Sequence, residues 1–213
     1  MCYHTKQTQE ENKVKRRFAA TMMYPEQAGL LTSSHWNGYD FPRTPVITNE
    51  APSQIQFYHW GLIPTWANDE SIRQSTLNAK IETLDDKPSF QTHETHRCLV
   101  LADGFYEWQW LDAKGKKKQK YEVGLKEGGL FAFAGLWSAW TDPASGQVLH
   151  SYSIVTTEAQ RVMREIHNSK LRMPVILQPE QEKAWLAGDD KDKYIDTEVE
   201  LVGKTENLQL GLF

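Results

Sequence analysis

The sequence predicts an α+β fold whose core is a curved, mostly antiparallel β-sheet with helices at its margins. Two observations carry this. Strand-like runs follow closely through Arg97–Asp103, Phe105–Trp110, Tyr121–Leu125, Leu130–Trp137 and Val148–Thr156, with turn formers between them and few helices of crossover length anywhere in the chain; neighbours of this kind pair by doubling back. Helical periodicity is confined to short segments near the ends and after residue 157. A length of 213 residues buries a core without disulfides or metals, so a single domain over residues 1–213 is expected.

Thr8 and Glu11 have the spacing of a capping box, and Val14 and Phe18 fall four apart, which predicts an amphipathic helix over about residues 9–20. From Ala28 to Pro52 the turn formers Asn37-Gly38, Pro42, Pro45 and Pro52 read as an irregular excursion. Gln54 to Leu62 alternates as a strand, and Pro64, Trp66 and Asn68 mark a loop after it. Ser75–Thr83 is ambiguous between extended and helical. The strand from Arg97 places Cys98 in the core, and Gly104 permits a bend. Beyond it Tyr106, Trp108 and Trp110 point one way and Phe105, Glu107 and Gln109 the other. An unpaired carboxylate is costly to bury there, so Glu107 either faces solvent or works in a site.

The run Lys114, Lys116, Lys117, Lys118, Lys120 sits at an expected hairpin tip, where it reads equally as a solvated turn or as phosphate contacts. Asp142-Pro143-Ala144-Ser145-Gly146 is a turn. Thr157 and Gln160 repeat the capping-box spacing and predict a helix through Val162 and Ile166 that ends near His167-Asn168-Ser169. Arg172–Leu177 returns as a strand, and Pro179 opens a last helix that carries Trp185 and closes at Gly188.

Composition excludes several classes. A net charge of −4 argues against a broad basic face for coating nucleic acid. Two cysteines, Cys2 and Cys98, exclude a disulfide framework and argue against a cysteine-based zinc site; no metal or cofactor is expected. No apolar run has the length of a signal-peptide core or a membrane span, so a cytosolic protein without membrane contact is expected.

Cys2 carries the most distinctive chemistry. Once Met1 is removed, its α-amine and thiol lie on adjacent carbons, and the amine, with a pKa of roughly 7.7–8.0, can attack an aldehyde to give a Schiff base. The thiol can then close on the same carbon to form a thiazolidine. While Met1 remains attached, that nitrogen is an amide and cannot react this way.

Four stretches then combine: Met1-Cys2, Leu77-Asn78-Ala79-Lys80-Ile81-Glu82-Thr83, Ala102-Asp103-Gly104-Phe105-Tyr106-Glu107-Trp108, and Ile166-His167 ahead of Arg172-Met173-Pro174-Val175. In order and spacing, over about residues 1–177, they resemble the SRAP family of SOS-response-associated peptidases and abasic-site processing proteins, as does Trp60-Gly61-Leu62-Ile63-Pro64 with Trp66. The resemblance implies a β-barrel-like sheet and a monomer that binds single-stranded DNA containing abasic sites, gathering on the nucleoid after damage. It also implies a hydrolase that removes its own first residue in some members, with lyase chemistry open to it.

By the same correspondence Cys2 is the nucleophile, Asn78 orients the N-terminal residue or the opened sugar, Glu107 takes a proton from amine or thiol, and His167 protonates the sugar oxygen. Trp66 is expected to stack on a base, Lys80 and Arg172 to meet phosphates, and Pro42 and Thr156 to line the pocket. The chain departs from the family at Tyr3-His4, where Gly-Arg is usual, and at Asn168–Leu171, four residues where one is typical. Two alternatives stay open: a self-processing cysteine peptidase acting on peptides, and a non-catalytic module for single-stranded DNA.

Overall fold

In the computed structural model, which describes residues 2–196 and 199–205, the chain begins with β1 (His4–Gln7), α1 (Glu11–Phe18), β2 (Thr21–Met22), β3 (Ser33–Asn37), β4 (Arg43–Thr48) and β5 (Gln54–Trp60). It continues through β6 (Asn78–Lys80), α2 (Pro88–Gln91), β7 (Arg97–Ala102), β8 (Gly104–Trp110), β9 (Lys118–Leu125), β10 (Phe131–Thr141) and β11 (Val148–Glu158). The last elements are α3 (Val162–Ile166), β12 (Arg172–Pro174), β13 (Ile176–Leu177), α4 (Pro179–Leu186) and β14 (Leu201–Lys204).

β11, β10, β7, β4 and β5 pair antiparallel in that order, and β5 returns to β11 in parallel register at Ser151↔His59 and Tyr152↔Trp60. The ring is closed. Every residue of β7 is buried, because both faces of this sheet are covered. One face, with Leu99, Leu101, Ala134 and Leu136, packs against Val14 and Phe18 of α1 and Trp185 of α4. The other, with Val46, Val100 and Phe133, packs against Phe105 and Val123 of a second sheet ordered β14-β9-β8-β1-β3. Cys98 is buried as expected, and opposite it Gly135 has no room for a side chain, since a Cβ would lie 2.7 Å from Cys98 Sγ.

Several expectations are corrected. The excursion from Ala28 to Pro52 contains β3 and β4, and β4 is a central strand of the ring. The Thr8 capping box does not form: α1 starts at Glu11, and the Thr8 hydroxyl donates to Asp103 Oδ2 at 2.5 Å. Thr157 caps no helix either, because it belongs to β11 and its hydroxyl donates to the Ile195 carbonyl at 2.8 Å. Ser75–Thr83 is both extended and helical, with β6 running into a 3-10 turn over Ile81–Thr83. Among the described residues no helix is long and apolar enough to cross a membrane.

Candidate active site

Cys2 lies just ahead of β1, which is held between β3 and β8. Its side chain is wholly buried among Trp60, Leu77 and Phe105. The Asp103 carboxylate at the β7–β8 corner accepts from the Thr8 amide at 3.2 Å and from Gln9 Nε2 at 2.9 Å, pinning the far end of the strand. Burial pushes the Cys2 thiol up, and the neighbouring Glu107 charge adds to the shift, so at neutral pH the sulfur keeps its proton.

Asn78 opens β6, whose parallel pairing with β11 aligns it with Ile154. Its Nδ2 donates to the Cys2 carbonyl at 2.9 Å, while its Oδ1 is buried without a partner. Glu107 lies on the inward face of β8, only 4% exposed, and burial lifts its carboxyl up to about 8. It does not face solvent, and its Oε1 is buried without a partner.

His167 caps the C-terminal end of α3, with its amide donating to Met163 O at 2.8 Å. Its Nδ1 lies 2.5 Å from the Arg172 carbonyl, to which the tautomer protonated at Nδ1 donates. That Nε2 stands 3.8 Å from Glu107 Oε2. Burial drops the imidazole to about 4. A carboxyl that keeps its proton and an imidazole that refuses one therefore face each other, an arrangement suited to moving protons to and from a molecule placed between them.

A cleft of about 360 Å³ opens over this pair, lined by Tyr3, His4, Glu107, Trp108, His167 and Lys170 among others. The segment Asn168–Leu171 builds one wall: Asn168 Oδ1 accepts from the Trp110 amide and its Nδ2 donates to the Trp110 carbonyl, both at 2.9 Å, as a neighbouring strand would. Among the described residues no group of three or more His, Cys, Asp or Glu could hold a metal ion.

The residues expected to meet DNA are less gathered, and none of Pro42, Trp66, Lys80, Thr156 and Arg172 lines the cleft. Trp66 is 52% exposed, a surface ring whose Nε1 donates to Pro88 O at 3.3 Å. Lys80 is exposed at the end of β6. Pro42 is half-buried and its carbonyl accepts from the Trp60 amide at 2.9 Å. Thr156 is wholly buried beneath Arg172. Arg172 is engaged already: its guanidinium grips both carboxylate oxygens of Glu82 at 2.7 and 2.9 Å and donates to the Thr156 carbonyl at 2.7 Å. Sequence reasoning missed Glu82 as this anchor, although it sits within the same stretch as Asn78 and Lys80.

Comparison with known proteins gives the family. The family described as SOS response associated peptidase (SRAP) matches residues 1–210. The abasic site processing protein YoqW of Bacillus subtilis is 43% identical over 148 residues, covering 69% of this chain and 63% of that protein. The abasic site processing protein HMCES of Xenopus tropicalis is 31% identical over 150 residues, covering 60% and 43%. The chain thus matches less than two thirds of the length of these curated relatives. A crystal structure of a protein from Bacteroides thetaiotaomicron superposes with a TM-score of 0.85 at 32% identity, over 96% of this chain and 91% of that one. One from Bordetella bronchiseptica, at 22% identity and TM-score 0.80 over 97% and 100%, shares the fold. With that match running over nearly its whole length, this chain belongs to the SOS response associated peptidase family.

Proposed function

We propose that the protein binds single-stranded DNA and captures abasic sites by forming a thiazolidine between Cys2, freed of Met1, and the sugar aldehyde. The observation that carries this reading is the meeting of Cys2, Asn78, Glu107 and His167 in one place, with Glu107 and His167 in opposite protonation habits. The names of the relatives point to the same substrate. We take the acting species to be a cytoplasmic monomer with one domain.

An abasic deoxyribose must first open. Glu107, holding its proton at neutral pH, protonates the ring oxygen, and the lone pair on His167 Nε2 takes the proton from the C1 hydroxyl, so the C1–O ring bond breaks and the aldehyde forms. This exchanges the roles expected from the family correspondence, because burial raises one group and lowers the other. The α-amine of Cys2 adds to the aldehyde carbon and water leaves, giving an imine. The thiol sulfur then bonds to that carbon as its proton passes to the imine nitrogen, with Glu107 or His167 as carrier. The Asn78 carboxamide holds the Cys2 carbonyl and offers Oδ1 to the amine N–H. Hydrolysis of the Met1–Cys2 bond, the activity in the family's name, is the enabling step, and elimination from the imine is the route to lyase activity.

The test is intact-protein mass spectrometry of Met1-free protein incubated with an oligonucleotide carrying one abasic site. The expected product has the mass of protein plus DNA minus one water, persists without reductant and is absent in Cys2→Ala. Processed wild-type protein that gives no adduct, or equal retention of DNA by Cys2→Ala, would remove the reading in favour of a peptidase or a simple binding module.

A further inference from the structure

α3 is too short to place His167 by its own stiffness. It has five residues, and a helix of that length does not hold its shape alone in water. The chain enters it through Arg161 at φ 47° and leaves the turn after it through Leu171 at φ 50°, backbone angles that a side chain disfavours. The place of His167 is therefore set by what ties this segment to the rest of the fold. Two of the ties are side-chain amides, and both end on β8. Gln109 Nε2 donates to the Glu165 carbonyl at 3.1 Å, and Asn168 exchanges two hydrogen bonds of 2.9 Å with the backbone of Trp110. Glu165 and Asn168 stand on either side of His167, and Gln109 and Trp110 lie just beyond Glu107 on its own strand. Gln109 is itself held: Tyr121, paired with Glu107 across β8 and β9, donates its hydroxyl to Gln109 Oε1 at 3.1 Å, which leaves Nε2 as the end that meets α3.

We propose that Gln109 and Asn168 are positioning residues that lock the end of α3 to β8 and so keep His167 Nε2 at its 3.8 Å from Glu107 Oε2. Neither residue lines the cleft, so what they do to the chemistry passes through that pair. The Arg172 carbonyl sets which way the imidazole turns, and the two amides set where it stands. Their neutrality suits the task. An Asp at 168 or a Glu at 109 would bring a negative charge beside the imidazole and favour its protonated form, whereas a carboxamide ties the backbone without disturbing either proton carrier. Misplacing a reacting group by about 1 Å can cost on the order of a hundredfold in rate, so a clamp of this kind is worth as much as a contact to substrate. The inference rests on the proposed capture chemistry in one respect, that Glu107 and His167 carry the protons.

The experiment measures single-turnover adduct formation with an abasic oligonucleotide for Asn168→Ala, Gln109→Leu, Glu107→Gln and each amide variant combined with Glu107→Gln. Alone, either amide variant is expected to slow the rate at saturating DNA by about tenfold to a hundredfold and to leave the half-saturating DNA concentration unchanged. In the Glu107→Gln background the same substitution should change the rate by less than about twofold, because the pair it positions is already broken. Wild-type rates in both single variants overturn the proposal, as does a loss of equal size in both backgrounds, which is what a merely structural role gives. A second measurement uses no DNA. The nitrogen resonance of His167 Nε2, followed against pH in isotope-labelled protein, should inflect as Glu107 titrates at about 8. The α-amine and Lys170 also act on this ring, so Glu107→Gln identifies the source: an inflection that survives it belongs to them and overturns the proposal. Asn168→Ala and Gln109→Leu should each shrink the Glu107 inflection, and its full retention in both overturns the proposal as well. If Met1-free wild type forms no adduct, the capture reading fails, and this titration still decides the positioning.

Discussion

Glu107 and His167 make the site sensitive to pH in opposite directions. A free carboxyl loses its proton near 4.5, whereas Glu107 holds one to about 8, so the folded state binds the extra proton between these values and stability declines as pH rises through them. Glu107→Gln removes that decline, and thermal melts should show the variant gaining on wild type most at pH 8 and above. His167 works the other way. The unfolded imidazole protonates below 6.5 and the folded one near 4, so stability falls as pH drops across that window, and His167→Gln should flatten the loss. Single-turnover adduct formation should slow by about 10²–10⁴ in the same variant, the range for a lost proton carrier. Cys2→Ser separates the two halves of the nucleophile: it keeps the amine and loses the thiol, so denaturing gels should show an adduct only when borohydride is added to reduce the imine.

At the scale of elements, the ion pair of Glu82 with Arg172 ties the 3-10 turn after β6 to β12, and the Arg172 carbonyl in turn orients His167. Glu82→Ala should cost about 1–2 kcal/mol in urea melts, since both partners are only partly shielded from water. It should also slow adduct formation by letting the imidazole turn. Arg172→Lys will not restore the rate, because an ammonium cannot engage both oxygens. Local pattern revealed the strands with continuous apolar runs, such as β7 and β10, and the period-two face assignment put Glu107 opposite Trp108 correctly. It could not reveal β4, whose Pro45 and flanking turn formers look irregular until β5 and β7 supply partners on both sides. Thr8 misled for a related reason: its hydroxyl found Asp103, 95 residues away, in place of the helix beside it. The same limit applied to the site. Cys2, Asn78, Glu107 and His167 were readable as motif positions, but the protonation of the last two depends on burial that no spacing encodes.

For the whole molecule, the joint between the sheets is aromatic. Phe133 on the ring meets Phe105 of the second sheet at 5.8 Å and Phe131 at 5.1 Å, and is fully buried. Phe133→Ala should destabilise the fold by about 3–5 kcal/mol, read from denaturant unfolding, and should loosen β8 with it. The position of β1 has a mechanical consequence. A protein fastened to DNA through its second residue is pulled, when a motor tracks along that strand, by its first strand. β1 is hydrogen-bonded on both edges, to β3 and β8, so tension along its axis strains those bonds together in shear and does not peel them one at a time. If Cys2 is the attachment point, as proposed, the strand that follows it is also the grip that resists being torn out.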